Sequence, residues 1–281
     1  MPYLERSGQP RLHYTIDDYT DPWRNAPYLI LQHGNGRSGR FWYSWIPYLA
    51  RWYKVVRPDM RGLGLSSREF DLAGELTVAN LVGDLAAIIG ALGAQPVHYC
   101  GESMGGILGL VLAAEHPELI RTLSLVATPA FINEKVKETY SRGHGSRVEA
   151  MQKMGIHAWI DATNRTTRFP PETDGGLLDW YATEFAKGNA EVQTTMAQLV
   201  QSASAQSHLP RVTAPVLGLY PSSGQITTRE QEEMLLKSLK NFTLVHMPTA
   251  YHMVHQIFPA ACAQHVLHFC AQHDGVSVHE R

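Results

Sequence analysis

The chain predicts an α/β protein, with a mostly parallel central sheet flanked by helices. Three observations carry that expectation. Short apolar runs alternate with stretches of helical periodicity, two of those runs end in glycine-containing loops, and a third feeds the turn Gly101-Glu102-Ser103-Met104-Gly105 ahead of an apolar helix. Crossover helices have to lie outside a parallel sheet, so such alternation covers both of its faces.

Residues 11–17 alternate as a half-buried strand does, and Tyr28–Gln32 is an apolar run ending at His33-Gly34-Asn35-Gly36. Residues 54–57 repeat the pattern, and 60–67 read as a surface loop. Val78, Leu81, Val82, Leu85, Ile88, Ile89 and Leu92 recur at three- and four-residue steps, the spacing of a helix with one buried face, and Gly93 is placed to end it. Strands are expected at 96–100 and 119–126, with an apolar helix over 105–116 stopped by Pro117. The alternation fails between about Ala130 and Leu209, where Trp159, Trp180, Tyr181 and Phe185 sit among polar, helical-looking segments. An inserted helical lid is expected there. Core strands resume at 215–220 and 242–245, with a helix over 229–239 between them and a closing helix over 254–270, after which 272–281 are expected to fray. The domain organisation is a core of 1–129 and 210–281 interrupted by a lid of 130–209.

A chain of 281 residues, 44% hydrophobic, can bury one full core without staples. Its 24 Lys+Arg are scattered and balanced by 26 Asp+Glu, which removes the positive field of a dedicated nucleic-acid binder. Cys100, Cys262 and Cys270 form an odd set without CxxC spacing, against a disulfide framework or a thiolate zinc site and in favour of a reducing compartment. The first ten residues hold no apolar run, and no membrane span is seen elsewhere. The expectation is a cytoplasmic protein, monomer or homodimer, whose partner is a small-molecule substrate, with no nucleic acid, membrane, metal or cofactor involved.

Gly101-Glu102-Ser103-Met104-Gly105 matches G-x-S-x-G between a predicted strand and a predicted helix, the context that gives the short motif its value. Glycines let the chain turn sharply there, so Ser103 can be held up at the end of the sheet. On these residues the chain resembles, over most of its length, an α/β-hydrolase fold protein, in particular the lid-bearing group of small esterases, enol-lactonases and carbon-carbon bond hydrolases. The resemblance implies a helical lid inserted after the sixth strand and a metal-independent serine hydrolase. It makes Ser103 the nucleophile and assigns the two oxyanion donors to the backbone N–H groups of Asn35 and Met104, each worth about 3 kcal/mol at the transition state. Neutral serine needs a base, and the family places it after the last core strand, which selects His252 over its neighbour His255. Residues 58–66 resemble the family's D-x-R-G-x-G-x-S loop, in which Asp59 and Arg61 are expected to pair.

The acid member departs from the family pattern. Alignment of the loop after the next-to-last strand puts Gly224 where aspartate is usual, and Val126-Ala127-Thr128-Pro129, the other place relatives use, holds no acid. Glu230, Glu232 and Glu233 are expected to lie on a charged helix face, Glu134 is the nearest carboxylate beyond Pro129, and Glu102 is expected to point away from the histidine. A Ser-His pair aided by a backbone carbonyl, water, Ser222 or Ser223 is one reading. Trp42, Trp45, Trp159, Trp180 and Tyr181 are candidates either to line the substrate pocket or to anchor the lid. Arg37, Arg40 and His33 are candidates either to attract a carboxylate or to lie at the surface. The function expected is cleavage of a small or medium ester, lactone or amide through an acyl-enzyme. The alternatives are a carbon-carbon bond hydrolase and a slow-turnover small-molecule receptor.

Overall fold

The computed structural model describes residues 2–93 and 96–278. In chain order the first half contains β1 (Tyr3–Arg6), β2 (Gln9–Asp17), β3 (Tyr28–Gln32), α1 (Ile46–Leu49), β4 (Lys54–Pro58), α2 (Leu72–Glu75), α3 (Val78–Ala91), β5 (Val97–Glu102), α4 (Met104–Glu115) and β6 (Ile120–Val126). Five helices follow: α5 (Glu134–Ser141), α6 (Arg147–Met154), α7 (Ile156–Thr163), α8 (Gly175–Ala186) and α9 (Ala190–Ser202). The second half closes with β7 (Val216–Pro221), α10 (Arg229–Ser238), β8 (Phe242–Met247), α11 (Val254–Ile257) and α12 (Pro259–Asp274).

The strands form one sheet in the order β1-β2-β4-β3-β5-β6-β7-β8, parallel from β4 to β8 and antiparallel at the β1-β2 edge. The helical insertion falls after the sixth strand, between β6 and β7. One face of the sheet packs on α3 and α4, the other on α1 and α12, and the insertion has an apolar core of its own around Trp159, Phe169 and Tyr181. Four of its five helices begin where short polar side chains cap them: Asn133, Ser146, Asp174 and Asn189 each accept a hydrogen bond from a first-turn N–H. No helix among the described residues is long and apolar enough to cross a membrane.

The strand order reverses direction between β3 and β5, which is where open α/β sheets leave a crevice beyond their carboxyl ends. The register pairs Gln32 with Gly101, so the loop after β3 and the corner after β5 emerge side by side.

Two segments differ from their sequence-based expectation. The closing helix is split at Phe258, because Pro259 cannot continue the hydrogen-bond ladder of α11. The tail stays helical through Asp274, beyond residue 272, because that carboxylate receives His98 Nε2 at 3.0 Å, the Tyr53 hydroxyl at 2.9 Å and the Arg121 guanidinium. Burial opposes the Asp274 charge, yet the His98, Arg121 and Tyr53 contacts outweigh it and lower the pKa to about 2. Residues 279–281 of the expected frayed tail lie outside the described residues. The cysteines Cys100, Cys262 and Cys270 are all buried and unpaired.

Candidate active site

Ser103 stands at φ 52°, ψ −116°, a strained conformation for a non-glycine residue, at the corner between β5 and α4. Its N–H donates to the Val126 carbonyl at 3.0 Å, and its own carbonyl receives Gly106 and Ile107 at 3.0 and 3.1 Å, starting the helix. The corner is too crowded for side chains: a Cβ on Gly105 would strike the carbonyls of Gln32 and His33, and one on Gly106 would strike Thr128. Met104 carries the first N–H of α4, a donor without an intrahelical acceptor.

The loop after β3 is fixed by His33. Its Nε2 accepts from the Met60 N–H at 3.1 Å and its Nδ1 faces the Gly34 carbonyl at 2.8 Å, which together define the neutral tautomer. Burial first, then Arg37, pulls its pKa down from 6.5 to about 4, so the ring stays neutral as a strut. The Asn35 amide, oriented to satisfy both neighbours, donates to the Met196 carbonyl at 3.1 Å and accepts from Arg147. Gln193 in α9 donates to the Gly36 carbonyl at 2.8 Å, which ties the loop to the insertion.

A small cavity of about 30 Å³ is lined by Ser103, His252, Asn35, Arg37, Arg147 and Arg168 among others. His252 is 4% exposed, and its backbone is held by the Thr167 carbonyl at 3.0 Å. Burial, then Arg37, Arg168 and Arg147, hold its pKa well below 6.5. Its rival His255 sits elsewhere, packed on the Trp42 ring at a centroid distance of 4.8 Å within the core.

Glu102 does not point away from the histidine. It is 1% exposed, with Oε1 3.5 Å from His252 Nε2 and Oε2 on the Arg37 guanidinium. Arg37 is held in turn by the Tyr181 hydroxyl at 2.7 Å. Burial raises the Glu102 pKa, while Arg37, Arg168 and the Gly34 N–H pull it back. Gly34 leaves room for the pair, since a Cβ there would fall on both Arg37 and Glu102. The other acids lie elsewhere: Glu232 binds His246 at 2.9 Å, Glu233 binds Arg229 at 3.0 Å, Glu134 binds Lys137 at 2.7 Å and Glu230 is exposed. Ser222 and Ser223 are exposed, and the Ser222 hydroxyl donates to the Thr249 carbonyl at 3.2 Å.

Asp59 and Arg61 do not pair. Asp59 takes His13 Nδ1 at 2.8 Å and the N–H groups of Gly39 and Leu65, whereas Arg61 forks onto Asp84 with two bonds of 2.7 Å. Two residues apart in a loop, their side chains diverge to opposite partners.

None of the five aromatic pocket candidates lines the cavity at Ser103. Trp42 stacks edge-on against Trp45 in the core, at 4.8 Å. Trp159 forms a floor under Arg147 and Arg168, and Tyr181 holds Arg37. Trp180 borders a different cavity, of about 1070 Å³, on the far side of Arg37, which neither Ser103 nor His252 lines. Of the three basic candidates near the β3 loop, Arg37 and His33 are buried and Arg40 is exposed, paired with Glu184 at 3.2 Å. Among the described residues no three His, Cys, Asp or Glu side chains converge as a metal site requires.

Residues 27–256 match the family model described as alpha/beta hydrolase fold. The chain is 26% identical over 223 residues to 3-oxoadipate enol-lactonase 2 of Acinetobacter baylyi, covering 78% of this chain and 80% of that protein. Another curated relative, from Agrobacterium fabrum, is 28% identical over 151 residues, so the match spans only 55% of its length. Among solved structures, the enol-lactonase from Burkholderia xenovorans LB400 superimposes with a TM-score of 0.83 at 25% identity, over 96% of this chain and 100% of that one. A hydrolase from Pseudomonas aeruginosa PA01 gives 0.82 at 26%, over 96% and 97%. The corner at Ser103, the sheet that carries it and these matches lead to one conclusion: the chain belongs to the alpha/beta hydrolase fold family.

Proposed function

We propose that the protein is a serine hydrolase that opens small or medium esters or lactones through an acyl-enzyme on Ser103. The observation that carries the reading is the strained corner, which holds the Ser103 hydroxyl in one cavity with a buried imidazole, beside the unpaired N–H of Met104. The likeness to two enol-lactonases supports the ester and lactone class.

In this reading the His252 nitrogen turned away from Glu102 takes the Ser103 proton as Oγ attacks the carbonyl carbon. The N–H groups of Asn35 and Met104 stabilise the oxyanion. His252 returns the proton to the leaving oxygen, then deprotonates the water that releases the acid. Glu102 supplies the negative charge that position 224 lacks: Oε1, 3.5 Å from Nε2, faces the imidazolium as it forms, and no proton passes to the carboxylate. The helical insertion acts as a lid over the cavity. Three buried, unpaired thiols support a reducing, cytoplasmic setting.

A serine-directed fluorophosphonate probe tests the assignment. Labelling is expected on the wild type and lost in Ser103→Ala with the circular dichroism spectrum retained; labelling that survives the substitution overturns it.

A further inference from the structure

The insertion buries two guanidinium groups that form no ion pair among the described residues, and Glu102, whose charge reaches Arg168, is already bound to Arg37. Arg147 is 6% and Arg168 2% exposed, and both line the cavity that holds Ser103 and His252. The other buried arginines are matched, Arg37 by Glu102 and Arg61 by Asp84. Arg147 meets only the neutral Asn35 amide oxygen, Arg168 donates to the Thr163 hydroxyl, and Nε of each has no partner. Both lie against the same two rings, Arg147 at 5.0 Å from Tyr140 and 4.7 Å from Trp159, Arg168 at 5.1 and 5.4 Å.

Stacking on aromatic faces offsets part of the cost of burying a cation, but two cations sharing one aromatic floor repel each other. Arg168 also closes a π-helical stretch, Asn164–Arg168, an uncommon backbone irregularity that is enriched at functional sites. The site is therefore built to hold positive charge beside the reacting serine, with its counter-charge arriving from outside.

Resting on the assignment of Ser103 as nucleophile, we infer that the substrate carries its own carboxylate and that Arg147 and Arg168 receive it. The substrate class is a short acyl ester or lactone with a carboxylate a few bonds from the scissile carbonyl. The partly exposed Lys137, paired with Glu134, and Gln201 line the same cavity. A cavity of about 30 Å³ is too small for an acyl chain as it stands, so the chain enters by displacing such rim side chains. Binding also prepares the base: burial is the main cause of the depressed His252 pKa, but an anion between the arginines offsets the part that Arg168 and Arg147 add, so a neutral analogue suffers in turnover as well as in affinity.

The test compares mono-4-nitrophenyl glutarate with its methyl-capped diester. The wild type is expected to favour the anionic ester in kcat/KM by about 10- to 100-fold, the range of a charge-assisted contact, and that preference is expected to collapse in Arg168→Met and in Arg147→Met. Arg168→Lys, which keeps the charge but loses the fork, is expected to retain part of it should the Met variants fail to fold. Equal rates on the two esters, with Ser103 still labelled by the fluorophosphonate, overturn the carboxylate site and leave the hydrolase standing. If neither ester turns over and Ser103 resists labelling, the hydrolase reading fails. Calorimetry with glutarate then decides the anion site alone: binding that is lost in Arg168→Met supports it, and no binding to the wild type overturns it.

Discussion

The core and the insertion bury arginines in opposite ways. Beside the sheet, each buried guanidinium has a carboxylate: Arg61 forks onto Asp84, and Arg37 meets Glu102. In the insertion, Arg147 and Arg168 form no ion pair among the described residues and lie against aromatic rings and neutral oxygens. A matched pair fixes geometry and suffers when either member is removed, whereas an unmatched cation is a standing cost that only binding repays. The difference teaches which charges hold the fold and which await a ligand.

The largest break in that contrast is expected from Glu102→Gln. It strands Arg37 in the interior and removes the charge opposite His252, so unfolding in urea should show a loss of about 3 to 5 kcal/mol, accompanied by a fall in kcat on a nitrophenyl ester. A variant as stable as the wild type would show that Arg37 does not depend on the pair. Asp84→Asn strips Arg61 of its fork and should cost about 3 kcal/mol, with Ser103 labelling retained in the folded fraction.

Acid gives a comparable loss without mutation. His33 is neutral in the fold with a pKa of about 4 against 6.5 when free, so its contribution is present above 6.5 and lost as pH falls from there to about 4. That group alone accounts for about 3 kcal/mol, and His252 and His255 act in the same direction. Urea midpoints that stay flat across that interval would contradict it. In the same sense, the acid limb of kcat/KM should lie below 6.5, because a base with a depressed pKa stays unprotonated to lower pH. The smallest effect is expected from Arg168→Met, whose stability should fall within about 1 kcal/mol of the wild type, on either side. A large destabilisation would make Arg168 a structural residue and erase the contrast.

What was legible in the sequence is what local chemistry decides. The corner at Ser103 depends on glycines within a few residues, and α3 on its apolar period, so both can be read along the chain. β1 carries no such pattern because it is four residues long and at most half-buried. The reach of Glu102 was hidden because it is fixed by Arg37, 65 residues earlier, and by Tyr181 in the insertion. One signal was there: a carboxylate inside a wholly buried strand needs a buried cation nearby. Trp42, Trp45 and Trp159 lie in the packed interior, since a large ring in an apolar segment goes to the core unless something polar draws it out. Arg147 and Arg168 meet only once the insertion has folded back on itself, and no spacing along the chain announces that.

Burial also silences the thiols. Desolvation pushes Cys262 and Cys270 up to about 12 and Cys100 well above its ordinary value, so hardly any thiolate forms near neutrality in the folded protein. Alkylating reagents therefore count opened molecules, while a serine-directed probe, with Ser103 as the proposed nucleophile, counts closed and competent ones. Used together on one sample, the two chemistries separate a variant that has lost its reactive hydroxyl from one that has lost its shape.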